Sequence, residues 1–556
     1  MDTSLHRKAR GAYFTPTRVA QYVTNWAVRN PSDRILEPSC GDAAFLVPAA
    51  RRLKELGAKD GAGGQLFGAE IHAPSAQEAF ARVALEGIRP TLHVGDFFDW
   101  RLSDEHRHFD AVIGNPPYVR YQQFDGEARA KSLRASLAQG VRLSGLASSW
   151  AAFTVHAASF LKPEGRLGLV LPAELLSVKY AAEVRRYLLR RFASVRLVTF
   201  EELVFPGVLE DVVLLLAEGT GGAPHFEVYQ ARNADDMDRT CANAWVGFQP
   251  QTTGHKWTPA LLPADALNSY EEVTDSGGFS LLSDWGETYL GAVTGNNPFF
   301  TLSASTARDL GLTCEELLRI SPPGSKHLRG LTFERRAWES LVNEDKRCFL
   351  FAPSEVPSPA ALRYIEKGEA NGVHLGYKCR NRKPWWKVPL VANPDLFFTY
   401  MNHERPRLVS NGARTEMLNS LYGVTLADRC RALGRDLLPI ASLNTVTLLG
   451  AEVVGRSYGG GMLKHEPREA DLLPVPSLET VKAVAKELRL IRPQVGGALR
   501  SGNLARACQL VDQVILEEHL RLPVSDIAAL RNARDLLFQR RALRGRSESV
   551  STGGCN

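Results

Sequence analysis

The sequence predicts an α/β fold with a doubly wound sheet over about the first 220 residues, and further domains after it. In that region strand-like apolar runs alternate with helical stretches, which is the pattern of a parallel sheet covered by helices. A chain of 556 residues is also too long for one hydrophobic core. We therefore expect two or three domains, of which the first is the doubly wound one.

The strands of the first domain are short apolar runs that stop at small or polar residues. Five are predicted, at Arg34–Glu37, Gln65–Ile71, Phe109–Gly114, Arg166–Leu171 and Val212–Leu216. The helices predicted between them include Ala43–Leu56 and Ala151–Leu161. A doubly wound sheet binds its ligands at the carboxyl ends of its strands. The residues at those ends are therefore the first candidates for a functional site.

The composition is that of an ordinary globular protein, with 44% hydrophobic and 23% charged residues. No apolar run approaches the length of a membrane span, and Met1–Lys8 lacks the apolar core of a signal peptide. The eight cysteines show no CxxC spacing, so neither a metal site nor a disulfide framework is predicted. We expect a cytoplasmic protein without membrane contact, whose net charge of +6 permits a polyanionic partner.

The tetrapeptide Asn115-Pro116-Pro117-Tyr118 follows the predicted strand Phe109–Gly114. An exocyclic amine on an adenine ring is a poor nucleophile, because its lone pair is delocalised into the ring. An amide oxygen and a backbone carbonyl, held by two prolines, can accept both amine hydrogens and favour a pyramidal nitrogen. The tyrosine offers a stacking face. The alternative interpretation is an ordinary turn, since Pro-Pro after a strand is a common stop signal.

Three other strand ends carry polar or small residues. They are the turn Glu37–Asp42, the acid Glu70, and the tripeptide Gly95-Asp96-Phe97. Taken singly, each fits a tight turn, a solvated carboxylate or an Asx turn. Taken together, they describe a pocket for an adenosine-containing cofactor, with a turn for close backbone approach and an acid for ribose hydroxyls.

In this order the motifs resemble those of class I S-adenosylmethionine-dependent methyltransferases, with their Rossmann-like sheet. The closer resemblance is to the γ group, or TaqI type, of DNA adenine-N6 methyltransferases of bacteria and archaea. Three more segments carry it, namely Gly11–Pro16, Phe153–Gly165 and Val204–Gly207. The resemblance covers about the first 220 residues strongly. One departure is Cys40-Gly41-Asp42, which varies the glycine turn and leaves the contacts at Gly41 and Asp42 less defined.

The resemblance implies a role for each matched residue. The residues that would bind S-adenosyl-L-methionine are Thr15, Glu37, Ser39, Gly41, Glu70, Asp96, Phe97, Pro117 and Phe153. Of these, Thr15, Glu37 and Ser39 would hold the methionine end and Glu70 the ribose, with the others near the adenine or the turn. The residues that would act on the target base are Asn115, Pro116, Tyr118 and Phe205. The last two would sandwich a base that has left the DNA stack.

The rest of the chain is divided into residues 221–265 as a linker with peripheral strands, 266–476 as an α+β target-recognition domain, 477–546 as a helical segment and 547–556 as a disordered tail. Residues 376–387 contain several basic side chains, adjacent tryptophans and no acid. The predicted DNA-binding residues are Lys378, Arg380, Arg382, Lys383, Trp385, Trp386 and Lys387. A solvated basic loop with two packing tryptophans is the alternative.

Other segments leave their role open. Residues 289–300 resemble a segment of adenine-methyltransferase recognition domains, and Gly459–Gly461 suits either a phosphate contact or a flexible loop. A second basic set consists of Arg405, Arg407, Arg414, Arg456 and Lys464. The run Arg540–Arg546 either tracks DNA or solvates a helix end.

The expected function is methyl transfer from S-adenosylmethionine to N6 of a flipped adenine in double-stranded DNA, as the modification enzyme of a restriction-modification system. An RNA adenine methyltransferase, a protein-glutamine N5 methyltransferase and a catalytically idle DNA-specificity subunit are the alternatives. Only about a dozen residues precede Thr15, too few for a nuclease domain, so any cognate restriction endonuclease is expected to be a separate chain.

Overall fold

The computed structural model describes residues 15–59, 61, 63–100, 108–119, 123–202, 204–205, 212–239, 244–250, 252–458 and 461–551, with side chains as far as residue 542. The predicted motif residues 11–14, 206–207 and 459–460, and the last five residues of the expected tail, lie outside the described residues. The chain folds into two compact units, the first ending at Leu262 and the second beginning at Pro263.

The first unit is built on one nine-stranded sheet of order β3-β2-β1-β4-β5-β7-β6-β8-β9. Its strands are β1 (Ile35–Glu37), β2 (Gly63–Glu70), β3 (Arg89–Val94), β4 (Phe109–Gly114), β5 (Leu161–Pro172), β6 (Ser194–Phe200), β7 (Val212–Glu218), β8 (Phe226–Ala231) and β9 (Val246–Phe248). The five neighbouring strands β3, β2, β1, β4 and β5 are all parallel. The α/β class expected from the sequence is therefore confirmed.

The helices of the first unit alternate with these strands. They are α1 (Thr17–Ala27), α2 (Leu46–Glu55), α3 (Ala73–Ala84), α4 (Gly126–Ala138), α5 (Ser149–Ala158), α6 (Glu174–Ser177) and α7 (Ala182–Arg191). Short 3₁₀ turns occur at Phe97–Asp99, Lys179–Ala181, Asp236–Arg239 and Thr258–Leu261. Helix α1 buries Val19, Ala20 and Val23 at helical spacing, which gives it one apolar face for the core.

The sheet differs from the expected parallel one on the far side of β5. Strand β7 lies between β5 and β6 and is antiparallel to both. Only residues 201–211 separate β6 from β7, too few for the crossover helix that a parallel pair requires. Strand β6 itself was not among the predicted strands. Residues 221–265, expected as a linker with peripheral strands, hold β8 and β9, which extend the main sheet.

The second unit consists of helices and small antiparallel sheets. Its strands are β10 (Phe279–Leu281), β11 (Gly286–Leu290), β12 (Thr301–Leu302), β13 (Leu317–Arg319), β14 (Phe349–Phe351), β15 (Leu396–Phe398), β16 (Met401–Asn402), β17 (Leu408–Ser410), β18 (Tyr422–Leu426), β19 (Arg456–Tyr458), β20 (Met462–Lys464) and β21 (Pro474–Pro476). The largest of these sheets has the order β11-β18-β15-β17.

Helices surround these sheets and dominate the end of the chain. They are α8 (Ala264–Asp275), α9 (Leu282–Trp285), α10 (Asn297–Phe300), α11 (Ala304–Asp309), α12 (Arg335–Asn343), α13 (Pro359–Ala370), α14 (Tyr377–Arg380), α15 (Arg431–Ala441), α16 (Thr445–Val454), α17 (Pro467–Ala470), α18 (Leu478–Ala483), α19 (Ala485–Arg500), α20 (Leu504–Asp512) and α21 (Val524–Ser551). A 3₁₀ turn spans Val373–Leu375, and a π-helical segment, Gln513–His519, extends α20. Helix α21 continues beyond residue 546, where a disordered tail was expected.

The basic run at residues 540–546 begins with two buried arginines, Arg540 and Arg541. The guanidinium of Arg541 forms two hydrogen bonds to Glu452 on α16, at 2.7 and 3.1 Å, and also contacts the carbonyl oxygen of His403. The expectation that this run either tracks DNA or solvates a helix end is therefore wrong for these two side chains. Arg541 thereby holds α21 against α16 in the second unit.

Among the described residues no single helix is both long and apolar enough to cross a membrane, although the bent pair α15 and α16 passes that test on length and composition. Both helices of the pair are largely buried within the second unit. The described residues also contain no group of three or more histidine, cysteine or acidic side chains arranged to hold a metal ion.

The buried pair of Glu452 and Arg541 predicts a large stability effect. Replacing Glu452→Gln leaves a buried guanidinium without its counter-charge, which we expect to lower the free energy of unfolding by about 3–5 kcal/mol. The matched control is Glu339→Gln, which breaks an exposed ion pair with Arg335 and is expected to cost about 0–1 kcal/mol. Urea denaturation of both variants measures the difference. Equal midpoints would contradict the assigned role of the pair.

Candidate functional site

Strand β1 lies between β2 and β4 and runs parallel to both. Leu36 is paired with Phe67 of β2 and with Val112 of β4. Because the three strands are parallel and in this register, their carboxyl ends meet at one edge of the sheet. The turn after β1, the acid that ends β2 and the Asn-Pro-Pro-Tyr segment after β4 therefore lie side by side, as the sequence predicted.

Two carboxylates hold the turn after β1. Glu37 is fully buried, and its Oε2 accepts the backbone N–H of Leu46 at 2.9 Å. Burial raises the pKa of the Glu37 carboxyl well above its usual value, with the nearby Asp42 and Glu70 adding to the effect. Gly41 has a φ of +50°, in the left-handed region that favours glycine, and its N–H donates to Glu70. The glycine thus joins the ends of β1 and β2.

Glu70 is half-buried at the end of β2 and holds two loops. Its Oε2 accepts from the N–H of Gly41 at 2.9 Å, and its Oε1 accepts from the N–H of His72 at 2.8 Å. A carboxylate has about four lone-pair sites, so further hydroxyl donors can still be accepted. By contrast, the carboxylate of Asp42 forms an ion pair with Arg82 at 2.7 Å.

Hydrogen bonds hold both the side chain and the backbone of Asn115. Its Nδ2 donates to the hydroxyl of Thr15 at 3.1 Å, and its backbone carbonyl accepts from the hydroxyl of Ser39 at 3.1 Å. Its Oδ1 is buried and has no hydrogen-bond partner among the described residues. The side-chain amide is therefore fixed with its acceptor oxygen unused, which is rare for a buried polar atom.

The segment after Asn115 is anchored to α5 and β5. The hydroxyl of Ser149 accepts the N–H of Val119 at 2.9 Å and donates to the carbonyl of Pro117, while the Ser149 N–H donates to the carbonyl of Val119 at 3.0 Å. The hydroxyl of Tyr118 donates to the carbonyl of Val170 at 2.9 Å. Sequence reasoning missed Ser149, since a serine at the start of a helix reads as an ordinary cap.

The predicted adenine residues form an aromatic cluster. The rings of Phe97 and Phe153 lie 5.0 Å apart, and both side chains are at most 5% exposed. His156 packs on Phe97 at 4.7 Å, and burial lowers its pKa to about 4. Asp96 accepts the N–H of Phe98 at 3.0 Å, which is the Asx turn that the sequence also allowed. The more accessible ring next to Asp96 is that of Phe98, which is half-buried.

Two further residues change the picture drawn from the sequence. Ile71 directly follows Glu70 and is 67% exposed, an unusual environment for a large apolar side chain at this edge. In the sequence, the position of Ile71 directly after the acid that ends β2 could have identified it. Phe205 is only 3% exposed and belongs to the core cluster against which Tyr118 packs. Its role in stacking on a base stays a prediction, and would require its ring to be uncovered.

The basic strip at residues 376–387 separates into structural and surface residues. Arg382 donates to the carbonyl oxygens of Val293 and Thr294, and burial lowers its pKa. Trp385 packs near Phe299 at 5.5 Å and donates its Nε1 to Glu369 at 2.9 Å. Trp386 packs against the core cluster that contains Phe299. For Arg382 and the two tryptophans, these contacts fit the alternative of structural packing. The prediction of DNA contact therefore applies to the exposed basic residues of the strip.

Two of the exposed basic residues of the strip lie next to Tyr377, whose side chain is 67% exposed. The Lys378 ammonium and the Arg380 guanidinium lie 5.7 and 5.4 Å from the centre of its ring. Lys383 is also exposed. Lys387, by contrast, forms an ion pair with Glu355 at 3.0 Å. Tyr377 was missed by the sequence reasoning, although it stands next to the first predicted lysine.

The neighbouring segment at residues 294–300 is structural. Asn296 caps α10 by accepting the N–H of Phe299 at 3.1 Å, and Phe299 and Phe300 are buried. The hydroxyl of Thr294 donates to Asn297 at 2.6 Å. This turn supports the basic strip, since Gly295 packs so closely that a Cβ there would lie 2.7 Å from that of Lys378.

Ser149 predicts a positioning effect on the loop after Asn115. In Ser149→Ala the carbonyl of Pro117 loses its hydrogen-bond donor, and the N–H of Val119 loses its acceptor. Each buried group left unpaired costs about 1–3 kcal/mol of stability. We expect faster amide hydrogen exchange at Tyr118 and Val119, and little change at β2. Ser149→Thr keeps the hydroxyl and serves as the control. Identical exchange in the alanine and threonine variants would remove Ser149 from this role.

Comparison with known proteins adds to this geometry. The chain is 23% identical over 474 residues to the Type II methyltransferase M.AccI of Acinetobacter calcoaceticus, covering 84% of this chain and 85% of that protein. It is 23% identical over 493 residues to the Type II methyltransferase M.XamI of Xanthomonas campestris pv. amaranthicola, covering 86% and 87%. The solved structure of the Type IIL restriction-modification enzyme MmeI in complex with DNA has a similar fold, with a TM-score of 0.58 at 12% identity over 92% of this chain and 73% of that one.

Two protein families match successive parts of the chain. Residues 254–516 match the C-terminal domain of the Type II methyltransferase M.Eco57I, and residues 3–233 match the N-6 DNA Methylase family. The expected resemblance to an adenine-N6 DNA methyltransferase is thereby confirmed, whereas its assignment to the γ group stays a prediction. Over residues 3–233, which include the site described above, the chain is similar to the N-6 DNA methylases.

Proposed function

We propose that this protein transfers a methyl group from S-adenosylmethionine to N6 of an adenine that has left the stack of double-stranded DNA, as the modification enzyme of a restriction-modification system. The observation that carries the proposal is the buried, unpartnered Oδ1 of Asn115. An acceptor held in this way is prepared for a donor that the folded chain does not itself supply. The exocyclic amine of adenine is such a donor.

The acceptor acts by favouring one geometry of the amine. A planar amine shares its lone pair with the ring, whereas a pyramidal amine presents that lone pair for attack. Hydrogen bonds from both amine hydrogens, to Asn115 Oδ1 and to the carbonyl of Pro116, strengthen as the nitrogen becomes pyramidal and gains positive charge. They therefore lower the barrier more than they stabilise the bound base.

Thr15 has a part in this arrangement in addition to the one expected. The resemblance implied a contact with the methionine end of the cofactor, and the hydroxyl of Thr15 accepts from Asn115 Nδ2. This bond makes the amide nitrogen face Thr15 and the amide oxygen face away from it. Thr15 is in this respect a positioning residue for Asn115.

The edge of the sheet fits S-adenosylmethionine in its chemistry. Glu70 retains lone pairs for the two ribose hydroxyls, and the exposed Ile71 offers an apolar surface beside them. Asp96 and the half-buried Phe98 follow at the end of β3. The turn around Gly41 allows a ligand to approach the backbone. When bound here, the cofactor supplies an electrophilic methyl group, and the chain orients the amine that receives it.

The DNA would be held in part by the second unit. Lys378, Arg380 and Lys383 form no ion pair within 4.0 Å to a carboxylate in the described part of the chain, so their charges are free to neutralise phosphates. Tyr377 adds an exposed ring next to Lys378 and Arg380. Unpaired basic side chains beside an accessible aromatic ring are typical of nucleic-acid contact.

Asn115→Ala tests the proposal directly. We expect the single-turnover rate of methyl transfer to a duplex containing the target to fall by about 10²–10³, because one preorganised acceptor is lost. Calorimetry should give an unchanged affinity for S-adenosylmethionine. Nucleoside analysis of the parent's product should yield N6-methyladenine. A parent that methylates RNA or a protein glutamine instead of DNA would refute the assigned substrate.

Variants at Thr15 form the matched control for Asn115. Thr15→Ser keeps the hydroxyl that accepts from Asn115 Nδ2, so it should retain most of the rate. Thr15→Val has a similar shape without the hydroxyl, so the amide can rotate and the rate should fall by about tenfold, the equivalent of one hydrogen bond of about 1.4 kcal/mol. Equal rates in the two variants would show that Thr15 does not orient the amide.

The exposed strip predicts a change in the salt dependence of DNA binding. Replacing Lys378, Arg380 and Lys383 together by glutamine should lower the slope of log affinity against log salt by up to about three, because fewer counterions are released. The control replaces three exposed cations elsewhere in the second unit, Arg336, Lys346 and Lys486. If both triple variants bind duplex DNA with the parental slope, the strip is solvated surface.

A further inference from the structure

A cavity of about 230 Å³ lies within the second unit, apart from the strip around Tyr377. One wall is the segment Glu404–Arg407, and a second is Arg329. The third is the turn between α19 and α20, which contributes Leu499, Gly502 and Leu504. The helical end of the chain thus closes a cavity whose other walls come from the centre of the unit.

Three arginines line this cavity, Arg329, Arg405 and Arg407, against one acid, Glu404. In the described part of the second unit, none of the three lies within 4.0 Å of a carboxylate oxygen. Arg407 donates to the carbonyls of Ser325 and Leu328, at 3.3 and 3.0 Å. Carbonyl contacts of this kind fix the direction of a guanidinium but do not neutralise its charge.

Arg405 is the most unusual of the three, since only 9% of it is exposed. Its one side-chain hydrogen bond within the described chain is a contact at 3.2 Å to the carbonyl of the adjacent Pro406. Burial lowers the pKa of this guanidinium to about 10, and the charge of Arg407 contributes in the same direction. The charge of Glu404 acts in the opposite direction, but no carboxylate lies within 4.0 Å of Arg405 among the described residues. A buried cation without a close counter-charge is costly.

Two other buried arginines of the chain have partners for their guanidinium groups that Arg405 lacks. Arg541 is neutralised by Glu452 at 2.7 Å. Arg185 in the first unit pairs with no carboxylate among the described residues, but it donates to three carbonyls, those of Leu175, Val178 and Gly254. Arg405 has neither arrangement, and it faces a cavity. The missing counter-charge is therefore expected to come from outside the chain.

We propose that the cavity lined by Arg329, Arg405 and Arg407 binds a phosphate group. A phosphate carries oxygens in several directions, which suits guanidinium groups that reach it from different walls. Two sources supply this chemistry, a backbone phosphate of DNA and free phosphate in solution. Only the first of these rests on the proposed function. Binding of inorganic phosphate tests the site without DNA or methyl transfer.

The variant that tests the site is Arg329→Gln in the full-length protein, because Arg329 is exposed and its replacement leaves the buried contacts of Arg405 and Arg407 in place. Arg336→Gln, an exposed arginine elsewhere in the same unit, is the control. Two measurements are made on each. The first is calorimetric titration with inorganic phosphate against chloride at constant ionic strength, and the second is the salt slope of duplex DNA binding.

We expect the parent and Arg336→Gln to bind phosphate and Arg329→Gln to bind it at least about tenfold more weakly, in line with the loss of one charge-assisted contact. A salt slope lowered by about one in Arg329→Gln identifies the DNA backbone as the source. An unchanged slope with weakened phosphate binding identifies free phosphate. The proposal is overturned if Arg329→Gln equals Arg336→Gln in both measurements, and this result would leave the methyl-transfer proposal untouched.

Discussion

The site depends on the position of β1 between two parallel neighbours. All three residues of β1 are buried, and the strand pairs in register with β2 on one side and β4 on the other. A slip of one residue would turn its side chains to the opposite face of the sheet. Because the register is fixed, the turn after Glu37, the acid Glu70 and Asn115 meet at one edge. There Glu70 accepts from the N–H of Gly41, and the hydroxyl of Ser39 donates to the carbonyl of Asn115.

The contacts at this edge surround one polar atom that they do not satisfy. Ser39, Thr15 and Ser149 all donate to or accept from the segment that begins at Asn115, yet its Oδ1 remains without a partner in the described chain. An unpaired buried acceptor costs about 1–3 kcal/mol. Unsatisfied buried groups of this kind are expected at functional positions.

The second unit shows why net charge is a poor guide to where a polyanion binds. Of the basic residues that stand out in its sequence, Arg541, Arg456 and Lys464 are each within 3.0 Å of a carboxylate. Others, such as Lys378 and Arg380, lie on the surface around an exposed tyrosine. Arg405 and Arg407 line a cavity. Position within the fold, and not the number of positive charges, separates these groups.

The sequence by itself determined the α/β class, the strands β1, β2, β4, β5 and β7 to within a few residues, and the motifs at their carboxyl ends. Those features are local, since apolar runs and turn residues act within a few positions of the chain. The tertiary structure alone decided that β7 is antiparallel, that Thr15 and Ser149 contact the Asn-Pro-Pro-Tyr segment, and that Arg382 and Trp385 are structural while Tyr377 is exposed. These outcomes depend on pairings between residues as many as 100 positions apart, such as Asn115 with Thr15, which no local pattern encodes.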